Sequence, residues 1–188
     1  YTHDDSINAL SIARNSIRAF PLYTEDVFSE VTAEYRFKYS TLSTSSCINL
    51  RWCSEGDLDT TNGNTLRTSG TGYSLQYRLN GATRRIDYVI NDVATELMTL
   101  PIYPFEQGTI YKLKLVSSNG VHSIYLAPDS EPYGDPYISF EDNRLTQGKV
   151  IFARSGAGDA VEDVFELHSI EISGTRVYQK PIHRGAML

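Results

Sequence analysis

Residues 46–79 alternate between apolar and polar side chains with a period of two, and this pattern constrains the chain more than any other feature. On the first flank Ile48, Leu50 and Trp52 point one way while Asn49 and Arg51 point the other. On the second flank Tyr73, Leu75, Tyr77 and Leu79 oppose Ser74, Gln76 and Arg78, and a Gly/Asn/Asp/Thr-rich loop joins the two. Such alternation defines half-buried strands, each with one side in a core and one carrying polar groups.

Further strand segments follow at regular intervals. Residues 30–39 place Val31, Ala33, Tyr35, Phe37 and Tyr39 inward, and residues 109–116 do the same with Tyr111, Leu113 and Leu115. Asn80-Gly81 and Asn119-Gly120 are hairpin signals, leading into strands at 84–91 and 121–127. Residues 137–140, 148–154 and 165–172 complete the set; 93–100 gives a weak strand pattern, and the two prolines in 101–105 point to a loop or edge. The best helix candidate, 6–19, is weakened by β-branched residues and a central Asn-Ser, and reads better as two short strands turning near Arg14–Ser16. Short strands, Gly/Asn/Pro turns and no helices predict an all-β fold, an antiparallel two-sheet β-sandwich of jelly-roll type. The predicted domain spans 1–173, with 174–188 as a C-terminal extension or linker.

The balance of charge narrows the partners. A net charge of −6 argues against nucleic acid, and no apolar run reaches the roughly 20 residues of a membrane helix. Cys47 and Cys53 fall in one predicted strand, about 20 Å apart. A disulfide needs Cα atoms within roughly 7 Å, so free thiols are expected, consistent with assembly in a reducing compartment. The N-terminus, Tyr-Thr-His-Asp-Asp, resembles neither a signal peptide nor a native start, which suggests a fragment or a processed product.

The order of these motifs resembles the concanavalin A-like, laminin-G-like jelly-roll superfamily across about residues 28–172. The resemblance rests on Ile48-Asn49-Leu50-Arg51, Gly72-Tyr73-Ser74-Leu75-Gln76, Tyr111-Lys112-Leu113-Lys114-Leu115, Gly148-Lys149-Val150-Ile151-Phe152 and Leu167-His168-Ser169-Ile170-Glu171-Ile172. It implies one of the superfamily's roles: carbohydrate-binding module, glycoside hydrolase or protein-binding module. Modules of this type also occur in tail proteins of bacteriophages that adhere to cell-wall sugars. A virion-surface or extracellular location, within a multi-domain or multi-copy assembly, is the corresponding expectation.

The candidate site is the polar strand face. Asn49, Arg51, Gln76 and Arg78 supply planar donors and acceptors suited to vicinal hydroxyls, and Tyr103 and Tyr133 are candidate stacking plates, with Phe105 and Tyr137 beside them in sequence. Arg85 and Asp87 share a strand face and are expected to form an ordinary surface ion pair. The acidic segment 55–64 carries oxygen ligands of the kind calcium takes, but Thr61 and Asn62 stand where an EF-hand loop requires a ligand and a Gly. A flexible loop is therefore the reading, and no resident metal or cofactor is expected. The Glu-x-Asp-x-x-Glu motif of laminarinase-type enzymes is absent from the sequence, and His168 reads as a strand-edge polar residue, so no catalytic residue is assigned. The expectation is a non-catalytic module for a polysaccharide, with a glycosidase, a laminin-G-like protein-interaction module and a structural tail domain as the competing classes.

Overall fold

The computed structural model describes residues 2–4, 9–12, 20–23, 26–40, 46–55, 69–79, 83–155 and 165–177, with side chains described from residue 26 onward except at 153–155. Among these residues there are thirteen strands and no helix. In chain order they are β1 (Thr2–Asp4), β2 (Ala9–Ile12), β3 (Phe20–Tyr23), β4 (Phe28–Tyr39), β5 (Cys47–Glu55), β6 (Thr71–Arg78), β7 (Arg84–Ile90), β8 (Val93–Thr99), β9 (Ile110–Ser118), β10 (Val121–Pro128), β11 (Ile138–Glu141), β12 (Lys149–Ser155) and β13 (Phe165–Arg176). They form a seven-stranded sheet in the order β1-β2-β13-β4-β9-β10-β11 and a six-stranded sheet in the order β3-β12-β5-β6-β7-β8. All described pairings are antiparallel.

The core lies between the sheets and is built from the alternation read in the sequence. Val31, Ala33, Tyr35, Phe37 and Tyr39 of β4 are buried, as are Tyr111, Leu113 and Leu115 of β9. They meet Ile48, Leu50 and Trp52 of β5, Tyr73, Leu75 and Tyr77 of β6, and Phe152 of β12. Aromatic rings join the two layers: Tyr35 stacks on Phe152 at 4.5 Å between centroids, and Phe37 lies 6.4 Å from the same ring. Offset and edge contacts of this kind add stability beyond the area they bury.

Two hairpin turns use paired left-handed residues. Asn119 (φ 51°) and Gly120 (φ 76°) close β9–β10, as the sequence predicts. Asn91 (φ 47°) and Asp92 (φ 66°) close β7–β8 in the same way, a turn the sequence reading passes over. Asn80-Gly81, the loop core 56–64, the turn near Arg14–Ser16 and residues 178–188 lie outside the described residues. Of the stretch 6–19, the described residues 9–12 form strand β2; β2 joins the seven-stranded sheet and β3, which follows at 20–23, the other, so β2 and β3 do not pair.

Both cysteines are free and buried, and burial pushes the Cys53 thiol up to about 11. Cys53 adopts a left-handed φ of 48° where β5 shifts register against both neighbours, which carries the strand on to Glu55. The domain boundary also moves. β13 runs to Arg176 and pairs with β4 along its whole length, so residues 174–176 belong to the sandwich rather than to an extension. At Gly174 (φ 155°) a Cβ would collide with the Glu30 carbonyl oxygen. Gly174→Ala is therefore expected to destabilise the protein by more than about 2 kcal/mol in urea unfolding, whereas a boundary at 173 predicts almost no change.

Candidate functional site

The sheet register places the polar residues of β5, β6, β7 and β8 in two rows across the outer face of the six-stranded sheet. One row runs Arg51, Ser74, Asp87, Glu96, and the other Asn49, Gln76, Arg85, Thr99. Cross-strand neighbours in such rows lie about 5 Å apart. The sequence thus brings Asn49, Arg51, Gln76 and Arg78 to one face, as expected.

That face is not open along its length. Asn49 and Arg51 are 1% exposed and Gln76 is 4% exposed, so the expectation of an accessible groove lined by these three is corrected. Alternation says which way a side chain points, but not whether another part of the chain covers it. The Arg51 guanidinium donates to the Ser69 carbonyl and lies against Gly72, where a Cβ would come within 3.1 Å of Nη2. Burial lowers its pKa to about 10, opposed by the nearby Asp92 carboxylate. These contacts give Arg51 a structural role, so Arg51→Ala should cost about 2–4 kcal/mol of stability in urea unfolding. A fully stable variant would return Arg51 to the list of surface groups.

The face opens over β7 and β8. Arg78 and Arg85 are half-buried, while Glu96 and Thr99 are exposed. Arg85 lies between two carboxylates, with Nε 3.4 Å from Asp87 Oδ2 and Nη1 3.5 Å from Glu96 Oε2. The Thr99 hydroxyl donates to Glu96 Oε1 at 2.7 Å. The predicted Arg85–Asp87 pair is thus present, with Asp87 buried beneath it. Glu96 and Thr99 were missed because a bulge between Ile86 and Asp87 breaks the alternation of β8, turning both Leu97 and Met98 toward the core.

The two tyrosines do not join this face. Tyr103 packs into an aromatic cluster with Phe105 (5.0 Å), Tyr111 (5.9 Å) and Tyr137 (6.0 Å). Its amide donates to the Tyr77 hydroxyl at 2.6 Å, and the Tyr77 and Tyr137 hydroxyls both donate to the Pro101 carbonyl. Tyr133 lies on the opposite side of the molecule, against Lys112 and Lys114 on the outer face of the seven-stranded sheet. Neither stacks over Arg51 or Arg78, so the expected groove with tyrosines at its rim is corrected as well.

A second buried polar centre was missed entirely. His122 is 1% exposed and occupies the inward row of β10 with Ile124. Trp52 Nε1–H donates to His122 Nδ1 at 3.1 Å, so that nitrogen carries no proton, and Ser117 Oγ lies 2.9 Å from it. Nε2–H then donates to the Asp142 carbonyl at 2.9 Å. The Tyr73 hydroxyl also donates to that carbonyl and accepts from the Leu145 amide, tying residues 142–145 to the core. The Asp142 carboxylate is held down to about 2, chiefly by Arg144, whose guanidinium lies 3.9 Å from the Tyr88 ring centroid. The signal available in the sequence was parity: His122 shares its side of the strand with Ile124 and Leu126.

Burial lowers the His122 pKa, against a weaker upward pull from Asp142. The unfolded chain therefore binds this proton more readily than the folded protein. The stability contributed by neutral His122 is complete above about pH 6.5 and is lost as pH falls below it. The urea midpoint is expected to fall from pH 7 to pH 5, with a shallower fall in His122→Gln; equal slopes would remove His122 as the cause.

The 165–169 segment explains the blurred alternation there. A bulge between Leu167 and Ser169 sets His168 Nε2 3.5 Å from Glu166 Oε2, and Glu166 also pairs with Lys38 at 2.7 Å and accepts from Ser40 Oγ at 2.6 Å. Among the described residues, no group of three or more His, Cys, Asp or Glu side chains is arranged to hold a metal ion.

This architecture is an antiparallel two-sheet β-sandwich. The fold resembles the carbohydrate-binding module CBM66 from Bacillus subtilis, with a TM-score of 0.58 and 12% identity over 89% of this chain and 93% of that one. It also resembles the VIP36 exoplasmic/lumenal domain in its Ca2+/Man3GlcNAc-bound form, with a TM-score of 0.65 and 14% identity over 93% and 81% of the two chains. Sheep galectin-11, in complex with glycerol, gives a TM-score of 0.55 and 10% identity over 82% and 96%. No protein-family profile and no curated protein sequence matches the chain.

Proposed function

We propose that the chain is a non-catalytic carbohydrate-binding domain that adheres to a cell-surface or cell-wall polysaccharide through the open, β7–β8 part of its six-stranded sheet. The observation that carries this reading is the polar strip of half-buried Arg78 and Arg85 and exposed Glu96 and Thr99, on a fold shared with carbohydrate-binding modules and lectins. Arginine, carboxylate and hydroxyl groups on neighbouring strands offer donors and acceptors at the spacing of adjacent sugar hydroxyls. Buried Asp87 pairs with Arg85 and holds its side chain in place, and Gln76 stands beside Arg85 in register. Asn49 and Arg51 lie on the same face at β5, in the buried part of the sheet beside the strip.

Catalysis is not part of the proposal. Asp87 and Glu96 are neighbouring carboxylates, but Arg85 lies between them, where a glycosidic oxygen and a water would have to fit. An open strip gives weak single-site binding, so useful adhesion depends on several copies held together. A phage tail or another surface assembly is such a setting, and the superfamily resemblance favours it.

A glycan array and pull-down on whole cell walls, using the domain fused to a fluorescent protein, test the reading. Binding to at least one polysaccharide is expected, without release of reducing sugar. Arg85→Ala and Glu96→Ala should each weaken it about tenfold, equivalent to about 1.4 kcal/mol; Glu96→Ala leaves the thermal midpoint nearly unchanged, whereas Arg85→Ala lowers it because buried Asp87 loses an ion-pair partner. Binding to no glycan, or binding that neither variant alters, would overturn the assignment.

A further inference from the structure

The outer face of the seven-stranded sheet carries a second polar constellation, on the side away from β7 and β8. Lys112 and Lys114 of β9 project outward, and Tyr125 of β10 stands beside Lys114 in register. Tyr133, from the loop after β10, leans over the same face, its ring centroid 5.9 Å from that of Tyr125. Lys114 Nζ lies 4.4 Å from the Tyr125 centroid and 4.2 Å from that of Tyr133, and Lys112 Nζ lies 4.7 Å from the Tyr133 centroid. All four side chains are partly exposed.

The charge arrangement is unusual for a protein with a net charge of −6. Glu34 stands directly opposite Lys114 in register, yet it pairs with Arg36 at 3.3 Å. Arg36 also takes Asp129, at 3.3 Å. Arg36 thus engages both carboxylates, Glu34 also lies by the Tyr133 hydroxyl, and among the described residues neither lysine has a carboxylate within ion-pair distance. Two ammonium groups share one tyrosine ring and gain aromatic attraction there in place of an ion pair. An ammonium over a ring still has N–H groups to donate, and an exposed tyrosine edge offers apolar contact for the carbon face of a sugar.

We infer that Lys112, Lys114, Tyr125 and Tyr133 form a second, independent binding platform for an anionic saccharide, one bearing carboxylate, sulfate or phosphate groups. The two ammoniums take the anionic substituents while the tyrosines pack against the ring carbons. Charge complementarity points to an anionic occupant, because neither ammonium forms an ion pair among the described residues. This site lies on the opposite face from the Arg85 strip and does not depend on it.

Affinity electrophoresis of the whole chain in gels containing dextran, carboxymethyl-dextran or dextran sulfate tests the inference, since the three share a backbone and differ in charge. Retardation is expected in at least one charged polymer and not in dextran, and it should weaken as salt rises from 50 to 300 mM. Lys112→Gln with Lys114→Gln should reduce retardation at least tenfold and Tyr125→Ala severalfold, with circular dichroism unchanged, while Arg85→Ala leaves it intact. No retardation by either charged polymer, or retardation unchanged in the double lysine variant, overturns it. Loss in Arg85→Ala instead would assign the binding to the other face. Retention of an acidic peptide, polyglutamate, with equal strength would overturn the saccharide assignment in favour of a protein partner.

Discussion

The middle of the six-stranded sheet is buried on both of its faces, and the placement of the candidate site on that sheet follows from the constraint. The first eight residues of β5 are all buried, as are the six central residues of β6, although alternate side chains point away from the inter-sheet core. Polar groups sealed in this way need partners within the protein, because an unpaired buried donor or acceptor is costly. Arg51 meets that need through the Ser69 carbonyl and the nearby Asp92 carboxylate. The residues with the most suitable hydrogen-bonding chemistry for a ligand are thereby committed to structure, and solvent access moves sideways to β7 and β8.

Polar atoms at the rim of the core hold the irregular segments. His122 and Tyr73 fix the backbone at Asp142, and Tyr77 and Tyr137 fix it at Pro101. The Tyr111 hydroxyl accepts the Glu106 amide at 2.7 Å. Each of these side chains keeps its ring in the aromatic layer and extends one polar atom to a loop that offers unpaired backbone groups. Of the tyrosines expected to be free plates for sugars, Tyr137 fastens a loop and Tyr103 packs into the aromatic cluster with its amide held by Tyr77.

The two outer faces are chemically different. On the six-stranded sheet, an arginine shared between two carboxylates presents a nearly balanced, hydroxyl-like surface. On the seven-stranded sheet, the acids are drawn to Arg36 and leave two lysines on tyrosine. Two proposed sites on opposite faces would let avidity add to contacts that are each weak.

Most strands, their inward residues and the hairpin pairings were legible in the chain, because alternation and turn chemistry are local properties. Val31 to Tyr39, Ile48 to Trp52 and Tyr111 to Leu115 fall inward as their parity requires. Where parity fails, so did the reading: the bulge opposite Asp87 hid Glu96 and Thr99, and the one at His168 blurred β13. The sequence by itself determined which side of each strand a residue occupies, since that depends only on the pleat of the backbone. Only the tertiary structure decided whether that side is open to water, since exposure depends on segments remote in the chain. That is why Arg51 and Arg85, alike in chemistry and facing, end as a buried support and a surface group.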